Sequence, residues 1–106
     1  MKARSGLIAI AAALGLVGCG DAGKLDPLAE RGRQVYMSQC TQCHAVDPAE
    51  AGAVGPPVKG ASRALLEARI VRGDYPPGYT PKRSTKVMPP MPTLAPELES
   101  LTAYLR

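Results

Sequence analysis

The feature that most constrains this chain is the segment Cys40-Thr41-Gln42-Cys43-His44. Two cysteines three residues apart, followed at once by a histidine, are the pattern of covalent haem attachment. On a helical turn Cys40 and Cys43 face the same way, so each thiol can reach one vinyl group of a single porphyrin. His44 lies four residues after Cys40, where its ring can meet the iron as the proximal ligand. The spacing therefore predicts one covalently attached haem c.

The same residues could instead form a redox dithiol or half of a zinc site. A structural zinc site needs four ligands, but the chain has only one further cysteine, Cys19, and no second histidine. A thioredoxin-like dithiol belongs to a βαβ unit, and the sequence shows no strand-like alternation. A metal or redox module without haem is therefore the weaker alternative.

The composition suits a core that is completed by a large cofactor. The 106 residues suffice for one small domain and include no Phe, no Trp and only four Tyr. A haem would supply the apolar bulk that aromatic side chains usually provide. The net charge of +4 falls to +2 when a leader containing Lys2 and Arg4 is removed, so it does not indicate nucleic-acid binding.

The first 18 residues are predicted to be an export signal. Lys2 and Arg4 form a positive start, and the apolar run from Leu7 to Val17 is eleven residues long. That length is typical of a signal peptide and is short for a membrane-spanning helix. We therefore expect the mature domain on the periplasmic side of a bacterial membrane.

Cys19 is predicted to carry lipid. The segment Leu16-Val17-Gly18-Cys19 resembles the lipobox of bacterial lipoproteins, in which the cysteine takes a diacylglycerol and becomes the mature N-terminus. An ordinary signal peptide or an uncleaved anchor is the alternative. With lipid on Cys19, residues 19–25 would form a short tether to a domain over residues 26–106.

Apolar residues at helical spacing predict three helices and an all-α fold. The first begins at the cap Asp26 and leads to Cys40, the second spans 62–72 with Ser62 as its cap, and the last begins at Pro96. One face of the first helix is predicted to hold Leu28, Gly32, Val35, Tyr36 and Gln39, and one stripe of the second Leu65, Leu66, Arg69 and Ile70. Because glycine weakens a helix, Gly32 on that face suggests that another backbone comes close.

Two stretches between the helices are predicted to wrap the haem. Residues 45–60 form a loop with the rigid segment Gly55-Pro56-Pro57, and residues 74–93 form a proline-rich strap that contains two methionines. A metal-bound histidine needs a hydrogen-bond acceptor for its second ring nitrogen. The segment Gly55-Pro56-Pro57 is the nearest rigid part of the chain that could supply this acceptor to His44. The equal alternative is that it forms a turn without contact to His44.

In their order, these parts resemble a class I c-type cytochrome of the small monohaem kind over about residues 26–106. Besides the haem motif, the resemblance rests on Gly32 and Tyr36, on Gly55-Pro56, on Met88-Pro89-Pro90 and on the last helix with Tyr104. It implies a small cytochrome c fold, with three main helices and loops wrapped around one covalent haem.

The resemblance also implies roles for single residues. The Pro56 carbonyl would hold His44, and Met88 would be the sixth iron ligand, with Met91 as the alternative. Met88 also precedes two prolines, which hold the following chain extended. Tyr104 would pack across the first helix near Gly32.

The function that the resemblance implies is electron transfer by iron that cycles between the ferrous and ferric states. An iron held by a histidine and a methionine has no open position, so we expect no enzyme activity and no small-molecule substrate. A free-standing carrier and a small haem subunit of a respiratory or dehydrogenase complex both fit. A haem enzyme or a gas-binding protein with open iron is the remaining alternative.

The expected partners are membrane-associated redox proteins and the bilayer itself, through Cys19. Basic residues in the loops around the haem could steer an acidic partner, namely Lys59, Arg63, Lys82, Arg83 and Lys86. Solvated loop charges without that role are the alternative. No nucleic-acid partner is expected.

Overall fold

The first helix begins where the sequence supplies a cap. The computed structural model describes residues 24–106, so Cys19 and the predicted leader lie outside the described residues. Helix α1 spans Pro27–Gln39, and the Asp26 carboxylate accepts a hydrogen bond of 2.9 Å from the Ala29 amide. Pro27 suits the first turn, because its missing N–H would have no helical partner there. The predicted start is confirmed, and α1 leads directly into Cys40.

The second helical stretch changes its winding halfway. Helix α2 spans Arg63–Leu66, and the Ser62 hydroxyl accepts a bond of 3.1 Å from the Leu65 amide. The chain continues as a π-helical segment, Glu67–Arg72, and then reaches Gly73 with a left-handed φ of 65°. The predicted second helix over 62–72, with Ser62 as its cap, is therefore confirmed, but the change of winding within it was not predicted. Apolar spacing does not distinguish i→i+4 from i→i+5 hydrogen bonding over so few residues.

The last α-helix begins two residues later than predicted. Pro92–Glu97 form a 3₁₀-helical segment, and helix α3 spans Leu98–Leu105. Pro96 lies inside the 3₁₀ segment, where the Leu98 amide donates to the Ala95 carbonyl three residues back. This tighter bonding moves the start of the α-helix to Leu98.

Irregular chain connects the helices. Residues 40–62 and 73–91 form turns and extended stretches, and no strand occurs within residues 24–106. The predicted all-α fold class, with three helices and two long loops, is confirmed. None of the helices in that part of the chain is long and apolar enough to cross a membrane.

The core lies where α1 crosses α3. Its buried cluster consists of Val35, Tyr36, Leu66, Ile70, Leu98, Leu101 and Leu105. The predicted face of α1 is wrong at Leu28, which is 50% exposed, while the neighbouring Ala29 is buried. Gln39 is also exposed. Ala29 lies three residues before Gly32, and its small side chain leaves room for α3 to approach that side of α1.

Gly32 is the point of closest approach between α1 and α3. A Cβ atom on Gly32 would meet the Ser100 carbonyl oxygen and would lie 2.8 Å from Tyr104 Cβ. The close backbone approach predicted from the sequence is therefore confirmed. Tyr104 lies beside this contact, with its ring centroid 5.6 Å from that of Tyr36. The backbones of α1 and α3 are therefore in direct contact, and the rings of Tyr36 and Tyr104 pack beside this contact.

We expect Gly32→Ala to destabilise the protein by at least about 1–3 kcal/mol, the usual range for overpacking a core. Helix propensity alone predicts the opposite sign, a gain of about 1 kcal/mol. Denaturant unfolding followed by circular dichroism would measure the change. The exposed Gln34→Ala on the same helix is the control and should stay within about 0.5 kcal/mol of the parent. A stabilised Gly32→Ala protein would contradict the contact with Ser100.

Candidate functional site

The cysteine pair and the histidine lie on a tight turn at the end of α1. The Cys43 and His44 amides both donate to the Cys40 carbonyl, at 3.2 and 2.9 Å. The turn therefore extends the helical winding by one step, which brings all three side chains to one cavity. Neither thiol forms a disulfide; Cys40 is half-buried and Cys43 is exposed.

The cavity has the size and lining of a cofactor site. Its volume is about 640 Å³, within the range of roughly 300–1,000 Å³ that is common for ligand pockets. Its floor is the apolar core itself, including Leu66, Ile70, Leu101 and Leu105. The residues present therefore fit a large apolar group that is attached at Cys40 and Cys43.

The environment of Cys40 argues for a neutral sulfur. Burial raises the pKa of the Cys40 thiol to about 11. A reactive dithiol needs the thiolate anion, which this burial disfavours. In addition, residues 24–106 contain no cluster of three His, Cys, Asp or Glu side chains that could hold a metal ion between them. An uncharged thioether suits this site better than the dithiol and zinc alternatives do.

His44 is held in one orientation by the loop after it. Its Nδ1 lies 3.0 Å from the Pro56 carbonyl oxygen, and a carbonyl can only accept, so Nδ1 carries the hydrogen. Nε2 is then left with a lone pair for a metal. Gly55 packs against the ring, since a Cβ atom there would lie 2.5 Å from two ring atoms. Of the two sequence alternatives for this loop, the structure shows the one with contact to His44.

Gly52 also stabilises the loop that holds His44, and the sequence analysis did not predict this role. The Val54 and Gly55 amides donate to the Cys43 carbonyl at 3.2 and 2.8 Å, and the Gly52 amide donates to the Gly55 carbonyl at 2.9 Å. A Cβ atom on Gly52 would run into the Cys43 carbonyl oxygen. The sequence signal was the spacing of Gly52 and Gly55 just before Pro56. This turn holds the backbone of the haem motif through the two hydrogen bonds to the Cys43 carbonyl.

Both methionines of the strap reach the cavity. Met88 and Met91 are half-buried and line the same cavity as His44. The Met91 amide donates to the Ile70 carbonyl at 2.5 Å, which ties the end of the strap to the π-helical segment. The structure therefore brings together the residues predicted for haem attachment and for both axial positions.

Two further contacts hold the strap, and neither was predicted. The Arg69 guanidinium lies 4.3 Å from the Tyr75 ring centroid, and Tyr75 stacks on Tyr79 at 5.6 Å. The Lys82 ammonium donates to the Pro57 carbonyl at 2.9 Å and so links the strap to the loop beside His44. Arg69 had been assigned to an apolar stripe, but it caps an aromatic stack at the cavity. Arg69 and Tyr75 lie on either side of the helix end at Gly73, so helical spacing does not indicate their contact.

The basic residues proposed for steering differ in their surroundings. Lys59, Lys82 and Arg83 line the cavity. Lys86 does not line it, but it is exposed on the strap shortly after Arg83. Arg63 does not line it and is paired with two glutamates of the helices. Arg63 is therefore not one of the bases that border the cavity.

Tyr36 fixes the chain just after the motif. Its hydroxyl donates to the Ala45 carbonyl at 2.6 Å, and its side chain is almost completely buried. Burial raises the pKa of Tyr36 to about 12. The contact joins the centre of α1 to the residue that follows His44.

A family model described as cytochrome C oxidase, cbb3-type, subunit III, matches residues 27–105. The match therefore extends from the first residue of α1 to the last residue of α3. No curated protein and no solved structure matches the chain.

We expect Tyr36→Phe to lower the free energy of unfolding by about 1 kcal/mol below pH 10, because it removes the hydrogen bond to Ala45. Tyr36 stabilises the folded state fully below its ordinary pKa of 10.0, and that contribution is lost as the pH rises towards about 12. The gap between parent and variant should therefore close over this interval. Denaturant titrations at several pH values would measure it.

Thr102→Val is the matched control, since it removes the bond from the Thr102 hydroxyl to the Leu98 carbonyl without removing an ionisable group. Its stability gap from the parent should stay constant over the same interval. A constant gap for Tyr36→Phe as well would contradict the raised pKa.

Proposed function

The chain belongs to this family of c-type cytochromes, and from that premise we propose a membrane-tethered, extracytoplasmic electron carrier with one haem c bound axially by His44 and Met88. Family membership supports the coarser part, a haem-based electron carrier with covalently bound haem c. The observation that carries the finer part is the contact of 3.0 Å between His44 Nδ1 and the Pro56 carbonyl. It leaves Nε2 available at a cavity that both cysteines and both methionines line.

The haem would supply reversible exchange of one electron at its iron. The thiols of Cys40 and Cys43 would hold it as thioethers, and the Pro56 carbonyl would keep the His44 ring from rotating. The Met88 thioether would fill the sixth position, which leaves no site for a substrate and argues against an enzyme. The prolines beside Met88 reduce the entropy that is lost when the strap is ordered over the cavity.

A subunit of an oxidase is the second candidate. The matching family is described as subunit III of a cytochrome c oxidase, so a place in a respiratory complex is compatible with this domain. Mild detergent extraction followed by native electrophoresis with haem staining separates the two. A free carrier migrates as the small chain alone, whereas a subunit migrates with a large complex.

We expect Met88→Ala to abolish the weak sulfur-to-iron absorption band in the red of the ferric protein and to lower the midpoint potential. A thioether favours the ferrous state, so its loss favours the ferric state. Met91→Leu should keep the band. The structure supports the choice of Met88 over Met91 as the iron ligand, because the Met91 backbone is tied to Ile70, whereas Met88 precedes two prolines in the strap.

The opposite pattern would assign the sixth position to Met91. A parent protein without the band would instead favour the open iron of a haem enzyme or gas-binding protein.

We expect Cys19→Ala to release haem-loaded protein from the membrane fraction or to block its processing. The proposal of lipid on Cys19 comes from Leu16-Val17-Gly18-Cys19, which lies outside the described residues. A single acyl chain binds membranes only marginally, whereas two or more hold firmly. Membrane fractionation and the mass of the mature N-terminus would measure the outcome. A variant that fractionates and matures like the parent would refute the anchor.

A further inference from the structure

Two leucines are exposed at the start of α1, away from the cavity. Leu25 precedes the cap Asp26 and is 42% exposed, and Leu28 in the first turn is 50% exposed. Neither of them lines the cavity. The other large apolar side chains that are exposed within residues 24–106 are valines of the loops. Two bulky apolar side chains within four residues of chain therefore face outwards at this one end of the domain.

The domain does not use either leucine in its core. An apolar residue before a helix cap commonly packs on the fourth residue of the helix, in the contact called a hydrophobic staple. The fourth residue of α1 is Glu30, a charged side chain that offers Leu25 no such partner. Neither Leu25 nor Leu28 belongs to the buried cluster or to the apolar residues that pack against it. Their apolar surface therefore remains for something outside the domain.

The charges of α1 near these leucines are already matched. Arg33 pairs with Glu30 at 2.6 Å, and Arg31 pairs with Glu97 of the 3₁₀ segment at 2.5 Å. A strongly charged partner therefore finds little to recognise here. Two side chains are also far fewer than the roughly 20–30 residues that each protein contributes to a stable protein interface. The occupant that fits is apolar, uncharged in its contact and not dependent on a large interface.

The tether selects a lipid bilayer as that occupant. In the proposed lipid-anchored form, Cys19 lies six residues before Leu25, and six extended residues reach about 20 Å. The anchor therefore keeps the first turn of α1 within reach of the lipid surface. A contact that a covalent anchor holds in place forms at high effective concentration, so a small apolar area is enough.

We propose that Leu25 and Leu28 form a membrane-contact edge that enters the lipid headgroup region beside the anchored Cys19. The inference rests on the proposed membrane tether. It also orients the domain, because α1 has 13 residues and is therefore about 20 Å long, at about 1.5 Å per residue. Cys40 follows the far end of this helix. The haem motif would thus lie at the end of α1 that does not touch the bilayer.

A water-soluble gadolinium chelate tests this edge, because it broadens the signals of amides that it can approach and lipid shields amides from it. In the first arm, the haem-loaded lipoprotein is incorporated into phosphatidylcholine nanodiscs. In the second arm, six histidines replace residues 1–18, and nickel-chelating lipid in the nanodisc takes the place of lipid on Cys19. The histidine-bearing protein without nanodiscs is the reference for both arms.

The amides of Leu25, Asp26 and Leu28 should lose most of their broadening on nanodiscs, whereas the amide of Val46 should keep it. Leu28→Ser should restore the broadening, because a hydroxyl group gains nothing from entering lipid. Val46→Ser is the matched control, since Val46 is 67% exposed and does not line the cavity. It should leave the shielding unchanged. The shielding should persist at high salt, because salt screens charges and not apolar contacts.

Equal broadening of the three amides with and without nanodiscs would overturn the proposal. Shielding that survives Leu28→Ser would assign it to the nearby tether alone, and shielding that disappears at high salt would assign it to charge. Either result would remove the role of the leucines. Shielding without nanodiscs that grows with protein concentration would assign the edge to a second copy of the chain. If only the histidine-bearing protein binds nanodiscs, lipid on Cys19 is refuted, and the second arm still decides whether the edge contacts the bilayer.

Discussion

The rest of the structure depends on the contact between the backbones of α1 and α3 at Gly32. With no side chain in the way, the Ser100 carbonyl lies directly against α1. This sets the position of α1 against α3, and α1 leads directly into Cys40, where the turn that carries the haem motif begins. The same crossing places Leu101 and Leu105 of α3 in the floor of the cavity. A contact far from the motif in sequence thus determines what the motif faces.

The motif is then held by its own loop as well as by α1, whose Tyr36 donates to the Ala45 carbonyl. The Cys43 carbonyl accepts two backbone hydrogen bonds from residues 54 and 55, and the Pro56 carbonyl fixes His44. The strap also lines the cavity and is tied to the π-helical segment by the Met91 amide and to the loop by Lys82. Each wall is held by hydrogen bonds within the polypeptide. Such anchoring suits electron transfer, in which little should move when the charge changes.

Local rules predicted the parts whose cause is local. The caps at Asp26 and Ser62 follow from side-chain chemistry, and the close approach at Gly32 follows from an unexplained glycine on an apolar face. The exposure of Leu28 and the π-helical winding after Leu66 depend on how the helices pack, which spacing alone does not contain. The link from Lys82 to Pro57 spans 25 residues and was invisible in the sequence. Sequence reasoning therefore named the residues of the site and the contact of Pro56 with His44, but it missed the Lys82 and Arg69 contacts that hold the strap.

The central claim is that Cys40 and Cys43 hold one haem covalently over this cavity. Acid-acetone extraction of the protein, produced in a host that matures c-type cytochromes, tests it directly. The account predicts that the haem stays with the polypeptide at one per chain, that mass spectrometry finds it on the peptide containing residues 40–44, and that Cys40→Ser with Cys43→Ser releases it. Complete loss of haem from the unmodified chain into the acetone phase would contradict the account.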